Sequence, residues 1–284
     1  MPEDRQYQSL YRKYRPQGPD EVLGQDHVIR ALTGAIREGR LAHAFLFCGP
    51  RGTGKTSTAR ILAKMVNCER GPTAEPCGTC DQCVRIREGQ HLDVVEIDAA
   101  SHGGVDDARD LREKAPTAPV QGREKVYIID EAQRLSREAF DALLKVFEEP
   151  PPGVRFVLAT TEPHKMPATI VGRCQRFDFR RVPVEEVAAH LVRVAEREGM
   201  TVAPDAALAI ARQTEAACAT RSRSSIRRRC SEPVPWTTTS WNRSSGRVAR
   251  TCASPSWMRS RSATSGSCSR SCTASCRTAR TSAT

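Results

Sequence analysis

Three groups of residues have the types and spacing that chemistry requires. The first is Gly49-Pro50-Arg51-Gly52-Thr53-Gly54-Lys55-Thr56, followed by Ser57. Its glycines let the backbone curl so that N–H groups point at phosphate oxygens, and a helix starting there adds its positive end. Lys55 would reach the β- and γ-phosphates of a nucleotide, and the Thr56 hydroxyl would hold Mg²⁺. The second is Asp130-Glu131, closing the apolar run Val126-Tyr127-Ile128-Ile129. Asp130 would organise the same Mg²⁺, directly or through water, and Glu131 would act as general base on an attacking water. The third is Cys68, Cys77, Cys80 and Cys83, spaced C-x8-C-x2-C-x2-C. Two-residue gaps curl consecutive thiolates round one ion, and a closed set of four favours structural over catalytic zinc.

These residues need elements to hold them. Ala44-Phe45-Leu46-Phe47-Cys48 reads as a buried parallel strand entering the phosphate loop, and Ala59 to Lys64 as the helix leaving it. Asp93 to Ser101 reads as a second buried strand, breaking at Ser101-His102-Gly103-Gly104, and Val105 to about Lys114 as an amphipathic helix. The strand before Asp130 delivers its carboxylates to the C-terminal edge of a sheet, where α/β folds bind ligands. Ser136 to Glu149 reads as a helix stopped by Pro150-Pro151-Pro152, and Arg155 to Thr161 as another buried strand. A threonine at its end would bond the attacking water or the γ-phosphate, or simply cap the strand. Helices follow at Val182 to about Gly199 and from Pro204. At the start, Leu10 to Pro16 is basic and aromatic, and Asp26 is the expected N-cap of a helix running to about Arg37. That first segment would clamp an adenine base or pack as an arm.

Composition is uneven along the 284 residues. From Ala219 onward there are 13 Arg against one acid, Glu232, so the net charge of +11 resides in the tail. The body is near neutral, which removes the inference from basicity to nucleic acid. No signal peptide, lipidation motif or long apolar span is read, so the expected compartment is the cytoplasm, with no membrane partner. Clustered cysteines in that compartment point to metal rather than disulfides.

Taken in order, the motifs resemble those of the gamma/tau subunits of bacterial DNA polymerase III. The matching stretches are Tyr14-Arg15-Pro16, Val22-Leu23-Gly24-Gln25, the phosphate loop and the four-cysteine insert. They continue with Glu96 to Ser101, Val126 to Glu131, Leu143-Leu144-Lys145 through Pro151, and Ala159 to Pro163. The resemblance implies an α/β fold of the AAA+ P-loop NTPase type: a five-stranded parallel sheet with an inserted zinc module, then a small helical lid. The boundaries it implies are an ATPase domain at 1–180 with the zinc module at 67–85, a partial lid at 181–215, and a tail at 216–284. It implies ATP, Mg²⁺ and Zn²⁺ as cofactors, and a clamp loader that places a sliding clamp on primed DNA within a cytoplasmic, nucleoid-associated replisome. The implied partners are delta, delta-prime and further gamma/tau subunits, the clamp, primer-template DNA, and the polymerase core through a tau-like form. By position Thr161 resembles the sensor-1 residue, and Arg173 the arginine finger acting on a neighbour's ATP. The delta-prime subunit also has a zinc module but usually a degenerate phosphate loop.

The chain departs from the family in three places. Gly172 stands where a serine usually precedes the finger, and Gln17-Gly18-Pro19-Asp20 lacks an aromatic, which bears on base contacts rather than phosphate contacts. After Glu215 neither a Gly-Ser-x-Arg-Asp element nor a helical collar is present. The sequence from Ala216 reads as a disordered, low-complexity tail. Codons can be chosen for Cys218 to Ile226 that, shifted by one base, read Leu-Arg-Asp-Thr-Leu-Ser-Val-Leu-Asp, so a frame change near Ala216-Ala217 would account for it. An arginine-rich nucleic-acid-binding tail is the rival reading. At the level of function, the alternatives to a working loader ATPase are a non-catalytic, ATP-switched zinc scaffold and a truncated fragment unable to form a ring.

Overall fold

Near-continuous apolar runs such as Ala44–Cys48, buried at every residue, mark strands covered on both faces and dictate a layered α/β sandwich. The computed structural model describes residues 9–219, with side chains in the last helix described to residue 213. The frame-change and tail readings fall almost wholly outside them. In order the elements are α1 (Leu10–Lys13), α2 (Asp26–Arg37), β1 (Ala44–Cys48), α3 (Lys55–Asn67), α4 (Asp81–Glu88), β2 (Val94–Asp98) and α5 (Val105–Lys114). There follow β3 (Lys125–Asp130), α6 (Arg137–Glu148), β4 (Val154–Thr160), α7 (Ala168–Val171), β5 (Gln175–Asp178), α8 (Val184–Arg197) and α9 (Pro204–Ala219).

The five strands form one sheet in the order β2-β3-β4-β1-β5, every pair parallel. Leu46, Tyr127, Ile129, Phe156 and Leu158 point to one face and pack on α5, α6 and α7. Phe45, Phe47, Val126, Ile128 and Val157 point to the other and pack on α2 and α3. On the first face Phe156 sits 5.4 Å from Tyr127, nearly parallel to it, and 4.9 Å from Phe147 of α6, which fixes the strand against its helix. Helices α8 and α9 share a small cluster of their own around Ala188, Ala207 and Ala211.

Two expectations need correction. The strand near Asp93 is not buried: β2 is at an edge of the sheet, and its Val95 and Glu96 are exposed. Apolar content alone does not distinguish a central strand from an edge strand with one free side. Asp26 does not cap α2; it is the first helical residue, where its charge meets the positive helix end, and Gln25 precedes it. The short, polar β5, Gln175-Arg176-Phe177-Asp178, escapes sequence reading because only Phe177 is buried. The helix expected from Pro204 is α9, which runs to Ala219 through an alanine-rich stretch of high helix propensity.

Candidate functional site

The carboxyl ends of β1 and β3 lead into a single cleft of about 520 Å³. Its floor is the loop Arg51 to Ser57 with Asp130 and Glu131. Its walls are Tyr11, Arg15 and Pro16 of the N-terminal arm, Val22 and Leu23, and Val187, His190 and Leu191 of α8. Lys13 and Tyr14 both bond Glu198 Oε1 at 2.6 Å, tying the arm to the end of α8. The arm therefore lies beside the phosphate loop, a position that a base clamp and a packed arm share.

Two glycines of the loop are irreplaceable for stated reasons. A Cβ on Gly49 would come within 2.6 Å of the Phe179 carbonyl oxygen, and Gly54 sits at φ +92° immediately before α3. Lys55 is buried and folds back, donating to the Gly49 and Pro50 carbonyls at 2.8 and 2.7 Å. Burial lowers its pKa, while Asp130 and Glu131 pull the other way. Thr53 Oγ1 also donates to the Pro50 carbonyl, at 2.9 Å. The Thr56 hydroxyl donates to Asp130 Oδ2 at 2.8 Å, so the two expected Mg²⁺ ligands meet across 74 residues of sequence. A hydroxyl and a carboxylate so close at a helix start suit a hard, oxygen-seeking cation that keeps some of its waters.

Glu131 is the only non-glycine residue among those described with a positive φ, +50°. This left-handed turn ends β3 and carries the carboxylate into the cleft. Its Oε1 takes a fork from Arg51, Nε at 2.9 Å and Nη2 at 2.6 Å. Its Oε2 accepts from Gln133 Nε2 at 2.6 Å and from the Thr161 hydroxyl at 3.2 Å. Burial alone would raise the Glu131 pKa, but the donors Gln133, Arg51 and Thr161 outweigh it and hold it below the usual carboxylate value. Thr161 is thus in the site. Arg173 is not: it leaves α7 on the protein surface, bonding the Thr169 carbonyl and Glu148 at 2.6 Å each.

The four cysteines converge. Their Sγ atoms lie within 4.8 Å of one another, with Cys68 and Cys77 at 3.6 Å. Zn–S bonds of about 2.3 Å give a tetrahedron with edges of about 3.8 Å, so the donor set fits one zinc ion. The Cys80 N–H points at Cys77 Sγ (3.3 Å) and the Cys83 N–H at Cys80 Sγ (3.5 Å), the latter capping α4. Amide donors from Cys80 and Thr79 bring the Cys77 thiol down to about 6. Burial pushes the Cys83 thiol up.

Several residues at work here escape a motif reading. Gln133 lies two positions beyond Glu131, and only that proximity hints at a role. Buried Gln25 clasps the backbone of Arg180, Nε2 to its carbonyl at 2.7 Å and Oε1 from its N–H at 3.0 Å. Asp93 is buried and accepts N–H groups of Val120, Gln121 and Gly122 at 2.8, 2.6 and 2.7 Å.

Comparison with known proteins agrees with this geometry. A family model described as "DNA polymerase III, delta subunit" matches residues 24–183. The tau subunit of DNA polymerase III from Bacillus subtilis is 52% identical over 196 residues, covering 69% of this chain and 35% of that one. The Escherichia coli tau subunit is 50% identical over 209 residues, covering 74% and 32%. The Mycobacterium tuberculosis gamma/tau subunit is 53% identical over 196 residues, covering 68% and 34%. The chain therefore spans about a third of the length of these relatives. Among solved structures, the Thermotoga maritima RuvB Holliday junction branch migration motor superposes with a TM-score of 0.50 at 21% identity, over 70% of this chain and 59% of that one. That likeness concerns the fold alone, and the sheet order and phosphate loop are those of an AAA+ domain.

Proposed function

The chain belongs to the gamma/tau family of DNA polymerase III subunits, and on that premise we propose that it is the ATP-hydrolysing subunit of a replicative clamp loader. The observation that carries the enzymatic reading is the meeting of Lys55, Thr56, Asp130 and Glu131 in one cleft. The loop from Gly49 to Ser57 would cradle the phosphates, with Lys55 turning from the Gly49 and Pro50 carbonyls to phosphate oxygens. Thr56 and Asp130 would hold Mg²⁺, which neutralises charge on the β- and γ-phosphates. Glu131 would take the proton of the attacking water, with Thr161 beside it as sensor. The remote, exposed Arg173 supports a role in trans, on ATP held by a neighbouring subunit.

The domains follow the same reading: an ATPase body at 1–180, a zinc module at 67–85 held by Cys68, Cys77, Cys80 and Cys83, and a lid from 181. In the assembly the partners are delta, delta-prime and further gamma/tau subunits, the sliding clamp, primer-template DNA and, through a tau-like form, the polymerase core. Work on the cytoplasmic replisome is in keeping with the lack of any membrane-crossing helix among the described residues. The chain itself would not polymerise DNA.

Glu131 beside Asp130, with its carboxylate held ionised, favours hydrolysis over a switch that only binds ATP. Steady-state turnover by the wild type and by Glu131→Gln, with ATP binding measured in parallel, tests the reading. Loss of turnover in the variant with binding intact supports it. A wild type that binds Mg²⁺-ATP and never turns it over would leave the zinc-scaffold reading.

A further inference from the structure

Beyond the residues assigned above, one side chain inside the site has every polar atom committed and no role yet. Gln133, in the short turn Ala132–Arg134 after Glu131, stands between the end of β3 and the end of β4. Its Oε1 accepts from the Thr160 hydroxyl at 2.8 Å. Its Nε2 donates to Glu131 Oε2 at 2.6 Å and to Thr161 Oγ1 at 3.0 Å.

The polarity of this chain is fixed at the carboxylate. Glu131 Oε2 can only accept, so the Gln133 amide nitrogen must face it and Thr161, and the amide oxygen must face Thr160. The Thr160 hydroxyl donates to that oxygen while its own oxygen accepts the Glu162 N–H at 3.1 Å. Thr161, accepting from Gln133, turns its own hydrogen to the same Glu131 oxygen. Thr160 is fully buried, so this end of the chain does not exchange with water.

We propose that Gln133 is a positioning residue of the hydrolytic site, orienting the Glu131 carboxylate and locking it in register with Thr161. The proposal rests on the reading of Glu131 as general base. A carboxylate on a strained turn has freedom about its last two torsions. Two donors on Oε2 and the Arg51 fork on Oε1 remove it. When substrate phosphates draw Arg51 away, Gln133 and Thr161 are what still hold the base. The pair also links β4 to β3, so displacement of Thr161 by a γ-phosphate is felt directly at the base.

The charged groups around Glu131 are Arg51 and Lys55 of the phosphate loop, Asp130 on its own strand, and Glu162 after β4. Of the two donors on Glu131 Oε2, the Gln133 amide is the nearer, at 2.6 Å against 3.2 Å for the Thr161 hydroxyl. Two variants of the full chain separate its effects. Gln133→Met keeps the length and removes every polar contact. Gln133→Glu keeps the shape and sets against Glu131 a second carboxylate, which has no N–H to donate.

For both variants the expected result is a kcat lower by at least ~10-fold, with KM for ATP within about 2-fold of wild type. Wild-type kcat in both variants overturns the proposal, as does a lower kcat matched by a lower thermal midpoint and a higher KM, the marks of simple destabilisation. The ¹³C chemical shift of the Glu131 carboxyl at pH 8, identified against Glu131→Gln, reads the same contact without turnover. A resonance displaced in Gln133→Met from its wild-type position supports the proposal, and an unmoved one overturns it. Failure of wild-type turnover in the presence of that shift would sink the hydrolase reading and leave the contact standing.

Discussion

The Thr56 hydroxyl donates to Asp130 Oδ2 at 2.8 Å, joining the first turn of α3 to the last residue of β3. An amide in place of that carboxylate keeps an acceptor for Thr56 but loses the charge a divalent cation needs. Asp130→Asn is therefore expected to fold as wild type and to require at least about 10-fold more Mg²⁺ for half-maximal turnover. Mg²⁺ titration of ATP turnover, beside a thermal melt, checks this. An unchanged Mg²⁺ requirement would remove Asp130 from the metal site.

Glu131 has its pKa held down by Gln133, Arg51 and Thr161 against the upward push of burial. A base with a lowered pKa is ionised at neutral pH and loses activity only as pH falls below the ordinary Glu range, about 4.3. Arg51→Met takes away the fork on Oε1. The acid limb of the pH profile of kcat/KM, which reports the free enzyme, is expected to move to higher pH in that variant, with kcat/KM near pH 8 changing less than near pH 5. A limb that stays in place would separate Arg51 from the base.

Asp93, the residue before β2, ties that strand to the loop leading into β3, accepting three backbone N–H groups from a fully buried position. Asp93→Ala leaves those donors unpaired and is expected to lower stability by about 3 kcal/mol or more. Burial would raise its pKa, yet the N–H groups of Gly122, Val120 and Gln121 win and lower it. A lowered folded-state pKa means that the stabilisation is complete above the unfolded value of about 3.9 and fades as pH falls through the lower folded value. Denaturant melts of wild type and variant should hence differ by a constant amount from pH 5 to 8 and converge in strong acid. Parallel curves down to pH 2 would contradict the assignment.

What was legible in the sequence is what local chemistry dictates. The phosphate loop, the Asp130-Glu131 pair and the four cysteines each declare themselves within a few residues, and α5 was read to its observed ends, Val105 and Lys114. What stayed hidden is set by long-range partners. The edge position of β2 follows from sheet order, and β5 exists because Phe177 packs beside Phe45 and Phe47. Gln133 and Gln25 are ordinary polar residues until the ends of β4 and β5 are brought beside them. A role made by contacts across 27 or 155 residues has no local pattern.

Removal of the zinc proposed for the four-cysteine module should be felt in β3 as well as in the module. The thiolates of Cys68, Cys77, Cys80 and Cys83 repel one another at separations under 4.8 Å unless a cation or protons neutralise them. α4 starts on Cys80, and its Gln82 reaches the Gln121 carbonyl at 3.2 Å. Asn67, next to Cys68, holds the N–H groups of Arg123 and Glu124 at 2.8 and 2.9 Å. The module is thus clipped to the loop that leads into Lys125 of β3. Treatment with a strong chelator, or Cys80→Ser, is expected to lower the thermal midpoint by about 10 °C or more. Hydrogen exchange should quicken at residues 77–91 and again at 120–124, and zinc returned to the chelated wild type should reverse both effects. Exchange confined to 77–91 would show that the clips through Asn67 and Gln82 transmit nothing, and a midpoint indifferent to chelation would show that the cysteines hold no structural metal.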